Sequence, residues 1–331
     1  MKIKDITNAL EELAPLSYAE DFDNVGLLVG QFDTEVTGVL VTLDTLEAVV
    51  EEAIDKKCNL ILSFHPIIFS GLKKLNGKNY VERVVIKAVQ HNIAIYAIHT
   101  ALDNSFSGVN AKICDVLGLQ NRSILIPQNE TLKQLTIDVP YEATERVGNA
   151  LIAVGASNIQ NRDAGLVITF EKHLEKNITN TLIALHPSEQ IHYEITALSK
   201  SQERIGMGMI GEFKEAMPEK EFLTFVKTSM QTDCIRHSKT IGKSIKKVAV
   251  LGGSGSFAIE KAKNAGADAF VSADFKYHEF YKAENQLLIL DIGHYESEQF
   301  TKNLLVDYLT KKFTNFAVIL SDTHTNPIYY L

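Results

Sequence analysis

Two rhythms of apolar and polar positions alternate along this chain. Ile3, Ile6, Leu10 and Leu13 recur at helical spacing and stop at Pro15. An acidic, turn-rich stretch from Asp21 to Gly30 then enters a short strand. Continuous apolar runs predict strands over 38–44, 59–63 and 93–98, separated by helices over 46–56 and 80–91 and followed by a helix over 108–117. The middle changes character. Strands are expected over 132–139, near Ile159, over 166–170 and over 191–198, with helices over 142–154 and 171–185. That β-α-β-β-α-β order is the ferredoxin-like pattern, which predicts a small inserted domain over 131–200. The alternation then resumes, with a helix over 219–230, strands over 246–251, 269–272, 287–290 and 316–320, and helices over 257–264 and 296–312. The expected class is α/β, with lobes at 1–130 and 201–331 flanking the insert.

Chemistry gathers where the strands stop. His65, His99 with Asp103, Asp274 with His278, His294 with Glu298, and Asp322 with His324 all follow predicted strands. In layered α/β sheets, ligands bind beyond the carboxyl ends of the strands. A single histidine in such a place is more often a hydrogen-bonded structural group, but five coincidences of one kind favour a shared polar site. His294 and Glu298 lie four apart, one turn of one helix face if a helix starts there. A metal site would take His65, Asp103, His294 and Glu298 as ligands, and mixed imidazole and carboxylate donors suit zinc, iron or manganese rather than calcium. His91, His173, His186, His192 and His237 fall on helices or in the insert and read as structural.

A competing site is a dinucleotide fold. The run Val248 to Leu251, then Gly252, Gly253, Ser254 and Gly255, fits a strand followed by G-x-G-x-x-A, with Asp274 about 20 residues on where a ribose-binding acid would stand. On that reading the chain binds NAD or FAD. Glycine turns between strand and helix are also common for geometric reasons, and the amides of this loop would alternatively receive an anionic group such as phosphate beside a metal.

Composition narrows the classes. A formal charge of −8 without a long basic run argues against a nucleic-acid partner. Three isolated cysteines, Cys58, Cys114 and Cys234, suggest no disulfide framework. The N-terminus lacks a signal peptide's apolar core and no run is long enough to span a bilayer, so a cytoplasmic protein without membrane partners is expected.

Taken together, Phe22 to Gly30, Ser63-Phe-His-Pro-Ile-Ile-Phe69, His99-Thr-Ala-Leu-Asp103-Asn104, Val248 to Gly253, Lys276-Tyr-His278 and Gly293-His-Tyr-Glu-Ser-Glu298 resemble the Nif-three-like family. Its bacterial members are often called type-2 GTP cyclohydrolase I homologues. The resemblance covers the chain outside the insert, and similar members carry a PII-like domain there. It implies two related α/β lobes, a ring-shaped homohexamer and a dinuclear site for divalent transition ions. Of the family's His-His-Pro motif, the second histidine falls on His65 and the first on Phe64, which cannot ligate a metal. The remaining ligands fall on Asp103, His294 and Glu298. One well-held ion and an open second position are therefore expected, with His99 or His324 as substitutes. The implied activity is hydrolytic attack on a purine ring or another nucleotide or phosphoester. Glu298 would then hold or orient the ions, His278 would shuttle a proton, Lys276 would lie behind the ligands or touch substrate, and Gly252 to Gly255 would meet phosphate. The contrasting expectation is a non-enzymatic metal-binding scaffold gated by the insert.

Overall fold

The computed structural model describes residues 1–162, 165–185, 192–199 and 204–331. His186 and Lys200 lie outside the described residues. The chain divides into two compact units, Met1–Ile126 with Gly206–Leu331, and Pro127–Ile205.

The larger unit contains two sheets. In the first, the spatial order is Gly26–Val29, Ala94–Ala97, Leu60–Ser63, Val39–Thr42 and Val318–Leu320. All neighbours run parallel except the first pair. The second sheet runs Arg236–His237, Leu288–Asp291, Ala269–Ala273, Ser244–Ser254, Gly206–Pro218 and Gln120–Pro127. Its three central strands are parallel. The strand Gly206–Pro218 is antiparallel to Ser244–Ser254. Each sheet thus borrows a strand from the other half of the chain: Val318–Leu320 completes the first and Gln120–Pro127 the second. The two halves are laced together, and cannot be separated at the insert without opening both sheets.

Burial explains the layering. Parallel strands covered on both faces read as continuous apolar runs, and Val39–Thr42, Leu60–Ser63, Ala94–Ala97 and Leu288–Asp291 are buried at every position. Alternate residues then point to opposite faces. Val39, Val41, Leu60 and Leu62 of one sheet share a core with Val248, Val250, Leu288 and Leu290 of the other. The helices Ile3–Leu13, Val109–Leu117, Glu219–Ser229 and Thr301–Lys312 contribute Ile6, Ile113, Phe222 and Leu305 to that core. The outward residues Leu40, Ile61 and Ile95 pack under Glu47–Asp55 and Tyr80–Gln90. Their counterparts Ala249, Phe270 and Ile289 pack under Ile259–Asn264.

Two strands escape the apolar pattern. Gln120–Pro127 is polar in its first half, and Gly206–Pro218 begins with glycines at 206, 208 and 211. These glycines serve close approach: a Cβ on Gly208 would stand 3.0 Å from the Val250 carbonyl oxygen, and one on Gly211 3.0 Å from that of Gln120. Between Ala269–Ala273 and Leu288–Asp291 the chain forms a 3₁₀ stretch, Tyr277–Ala283.

The smaller unit has the order strand Leu132–Asp138, helix Thr144–Ala153, strands Ser157–Arg162 and Gly165–Glu171, helix Glu175–Leu185 and strand Tyr193–Leu198. Its sheet is antiparallel, with Leu132–Asp138 between Gly165–Glu171 and Tyr193–Leu198. That is the ferredoxin-like order. Leu135, Ile137, Ile168 and Phe170 pack on Val147, Leu151, Ile178 and Leu182 of the two helices.

Candidate metal centre

The strand Leu60–Ser63 extends its parallel pairing two residues further, with the amides of Phe64 and His65 donating to Thr42 and Leu43 at 3.0 and 2.8 Å. Strand alternation then sends Phe64 inward, fully buried in the shared core, and His65 outward beyond the strand end. From the second sheet, Leu288–Asp291 leads through Gly293 to a short helix, His294–Glu298. Gly293 has φ +93°, and a Cβ there would overlap the Glu296 carboxylate at 2.1 Å. Only glycine makes this turn without strain.

These two strand ends meet. His65, His294 and Glu298 each offer a donor atom, all within 4.8 Å of one another. Glu298 Oε2 lies 3.2 Å from His65 Nε2 and 3.3 Å from His294 Nε2. Those separations suit ion pairing, and buried Oε2 has no well-formed hydrogen-bond partner. Donors held about 2.0–2.1 Å from one tetrahedral ion stand about 3.3 Å apart. The spacing of Glu298 from each imidazole is therefore also that of donors sharing one cation.

Behind each imidazole stands a carboxylate. His65 Nδ1 is 2.9 Å from Asp44 Oδ1, and His294 Nδ1 is 2.7 Å from Asp274 Oδ2. A carboxylate on Nδ1 fixes the ring and turns the Nε2 lone pair toward a metal, the arrangement that accompanies most histidine ligands. Asp274 adopts φ +60°, left-handed backbone that aspartate tolerates better than most residues. Nothing in the chain's strand pattern marked Asp44. A carboxylate one or two residues past a parallel strand, beside the strand bearing His65, is the signal that would have found it. Asp274 Oδ2 is engaged by His294 and by the Ser254 hydroxyl, which ties this residue to the histidine rather than leaving it free beside the glycine loop.

The electrostatics describe a cluster of carboxylates short of positive charge. Burial favours neutral His65, but Asp44 and Glu298 outweigh it and raise its pKa to about 10. His294 rises to about 11 in the same way, against burial, through Asp274 and Glu298. Burial pushes Glu298 up, yet the two imidazoles hold it down at about 2. Asp103 is pushed well above the usual carboxylate range by burial, then by the charge of Glu298. Its buried Oδ1 has no hydrogen-bond partner. Without an ion, protons supply the positive charge that the donor set demands. A divalent cation would displace them.

Asp103 lies outside the three-residue cluster but lines a cavity of about 250 Å³ together with His294 and Glu298. Phe22, Met207, Leu251 and Phe257 form apolar walls of the same cavity. His99 lines it as well, with its Nδ1 3.0 Å from Asp23 Oδ1. Burial raises Asp23, but hydrogen bonds from His99 and Thr100 bring it to about 2. The Phe64 ring packs edge-on against His99, with centroids 5.5 Å apart. A second recess of about 600 Å³ opens at His65 and Asp44, with His324 and Tyr329 across it.

The glycine loop has a different task from the one its motif suggested. The amide of Gly252 donates to Asn110 Oδ1, that of Gly253 to Ser297 Oγ and that of Gly255 to the Ala273 carbonyl. These three amides are committed within the protein and are not free to receive phosphate, although Gly252, Gly253 and Ser254 line the cavity. The loop runs into a 3₁₀ turn and a six-residue helix, Ile259–Asn264. A Cβ on Gly253 would come within 2.5 Å of Glu298 Oε1, and that glycine has φ +69°. The glycines let the strand end approach the ligand-bearing helix. His278 is exposed, stacks on Tyr281, and is not among the residues lining either recess. Lys276 is exposed beside it, and Asp322 pairs with Lys56 at 2.7 Å rather than joining the cluster.

Comparison with known proteins agrees with this arrangement. The family model for Duf34/NIF3 (NGG1p interacting factor 3) matches residues 1–327. A Bacillus subtilis protein named GTP cyclohydrolase 1 type 2 homolog is 32% identical, over 99% of this chain and 98% of its own length. A Staphylococcus epidermidis protein of the same name is also 32% identical, over the whole of both chains. The crystal structure of a Bacillus cereus protein related to NIF3 superposes with a TM-score of 0.83 at 30% identity, covering 100% of this chain and 99% of that one. The strand ends that converge on His65, His294 and Glu298 thus sit in a fold shared along its full length, and the chain belongs to the Duf34/NIF3 family.

Proposed function

We propose that this protein is a metal-dependent hydrolase acting on a nucleotide or phosphoester. His65, His294 and Glu298, with Asp103, would hold a divalent transition ion, zinc, iron or manganese. The observation that carries the reading is the orphaned Glu298 Oε2 between two imidazoles whose far nitrogens are each tied to a carboxylate. A divalent ion in such a site polarises the scissile group and makes water a nucleophile near neutral pH. The chain's own contributions come from the geometry. Asp44 and Asp274 orient the rings, Glu298 stays ionised, and Asp103 gives up its proton when a cation enters. Phe22, Leu251 and Phe257 give the cavity an apolar wall. The nucleotide part of the proposal draws on the name carried by the curated relatives. A homohexamer, a PII-like regulatory role for the ferredoxin-like insert and a cytoplasmic location complete the proposal. No helix among the described residues is long and apolar enough to cross a membrane.

The test is elemental analysis of the purified chain, then a panel of nucleotides and phosphoesters with the metal-loaded protein. Turnover that disappears in Glu298→Gln supports the hydrolase. A loaded protein that turns over nothing across the panel points instead to a metal-binding scaffold.

A further inference from the structure

The segment after the last strand, 321–331, has no regular secondary structure, yet it is pinned at two carboxylates, half-buried Glu52 and buried Glu296. At its start, Glu52 accepts from the Ser321 hydroxyl at 2.6 Å, the Asp322 amide at 2.8 Å and the Thr323 hydroxyl at 2.6 Å. Burial alone would raise the Glu52 carboxyl, but Lys56 and these donors keep it at about 2, an ionised anchor. Further on, the Asn326 amide donates to Glu296 Oε1 at 3.0 Å, and Asn326 and Glu296 are both buried.

Between these anchors sits Thr325, 5% exposed, whose hydroxyl donates to Asp44 Oδ2 at 2.8 Å. The other oxygen of the same carboxylate, Oδ1, is the one against His65 Nδ1. Asp44 is about a third exposed, so its carboxylate would sample several rotamers and water partners without that bond. Two neighbouring residues of one strap thus grip the two ligand-bearing elements. Thr325 reaches His65 through Asp44, and Asn326 reaches the turn that carries His294 and Glu298 through Glu296.

We propose that Thr325 is a positioning residue for the metal centre: its hydroxyl locks the Asp44 carboxylate, which aims His65 Nε2 at the point shared with Glu298 and His294. The proposal rests on the reading of His65 as a ligand. Groups behind the ligands typically contribute 10- to 100-fold in metal affinity, and Thr325 acts at one further remove. Thr325→Val keeps the shape and removes the hydroxyl, while Thr325→Ser keeps the hydroxyl.

The experiment is a competition titration of the full chain with zinc and a chromogenic chelator, for wild type and both variants, alongside thermal unfolding of the metal-free proteins. Cobalt-loaded samples give the visible absorption spectrum, which reports ligand geometry and is insensitive to general stability. The expected result is affinity about 10-fold weaker for Thr325→Val with an altered cobalt spectrum, and recovery to within about threefold in Thr325→Ser. The metal-free midpoints of the variants should stay close to wild type. Equal affinity and an unchanged spectrum in Thr325→Val would overturn the positioning role while leaving the metal centre intact. Failure of wild type itself to take up zinc or cobalt would overturn the metal reading, and this inference with it.

Discussion

The two sides of the His65 ring teach different things. On one side the ring faces His294 and Glu298, where two imidazole nitrogens and a carboxylate oxygen converge with no hydrogen bond among them. On the other side stand Phe64 and His99, whose rings lie 4.9 and 5.1 Å from that of His65. There the space is filled by an apolar ring, and His99 does not join the converging donors. One side gathers donors that could share a cation; on the other the Phe64 ring takes up space next to His65, and His99 lines the neighbouring cavity instead. The difference turns on a single side chain, the fully buried Phe64, at the position where the resemblance read from the sequence leads one to expect a histidine.

Removing a donor from the first side should have the largest effect. His294→Ala is expected to lose bound metal to background while remaining folded, measured by elemental analysis after gel filtration. Full retention would break the contrast outright. Next comes the group behind the ring. Asp274→Asn should weaken metal binding by about 10- to 100-fold, since it removes the charge that orients and polarises His294, and a chelator competition reads it directly.

The second side can be sharpened by restoring the missing donor. Phe64→His should raise the zinc stoichiometry above that of wild type, with the two values compared by mass spectrometry under native conditions. The same change places a polar ring in a fully buried position, so a loss of about 1–3 kcal/mol in stability is expected from denaturant titration. An unchanged stoichiometry would show that packing beyond Phe64 closes this side.

A pH dependence of stability is also expected. In metal-free protein, His65 and His294 titrate near 10 and 11 against about 6.5 unfolded. Raised pKa values contribute stability that is fully present below about pH 6.5 and falls as pH climbs toward 10 to 11. Glu298, held at about 2, contributes in the other direction, with stability kept above about pH 4.3 and lost as pH falls toward 2. Metal displaces the imidazole protons, so its affinity should rise with pH and the alkaline decline should flatten on zinc loading. Thermal midpoints between about pH 2 and 11, with and without zinc, check both signs.

Much of this was legible in the residues. Strands such as Leu60–Ser63 and Leu288–Asp291 are apolar on both faces and announce themselves. His294 and Glu298 could be paired because helical spacing is local information. What stayed hidden depends on contacts across the chain. Gln120–Pro127 and Gly206–Pro218 form strands only because they find each other and Ser244–Ser254, and their glycines and polar residues disguise them. Asp44 and Thr325 are 281 residues apart and meet at one carboxylate, which no local pattern reports. The glycine loop misled for a related reason. Its spacing is shared by phosphate cradles and by close strand-to-helix approach, and only the partners of its amides decide between them.

The metal centre stands or falls on one ion held among His65 Nε2, His294 Nε2 and Glu298 Oε2. Crystals of the zinc-loaded protein, with anomalous difference maps collected on either side of the metal absorption edge, would locate that ion. A peak is expected at the shared centre of those three atoms, about 2.0–2.2 Å from each. A map without density there, or with its strongest peak elsewhere on the chain, would contradict it.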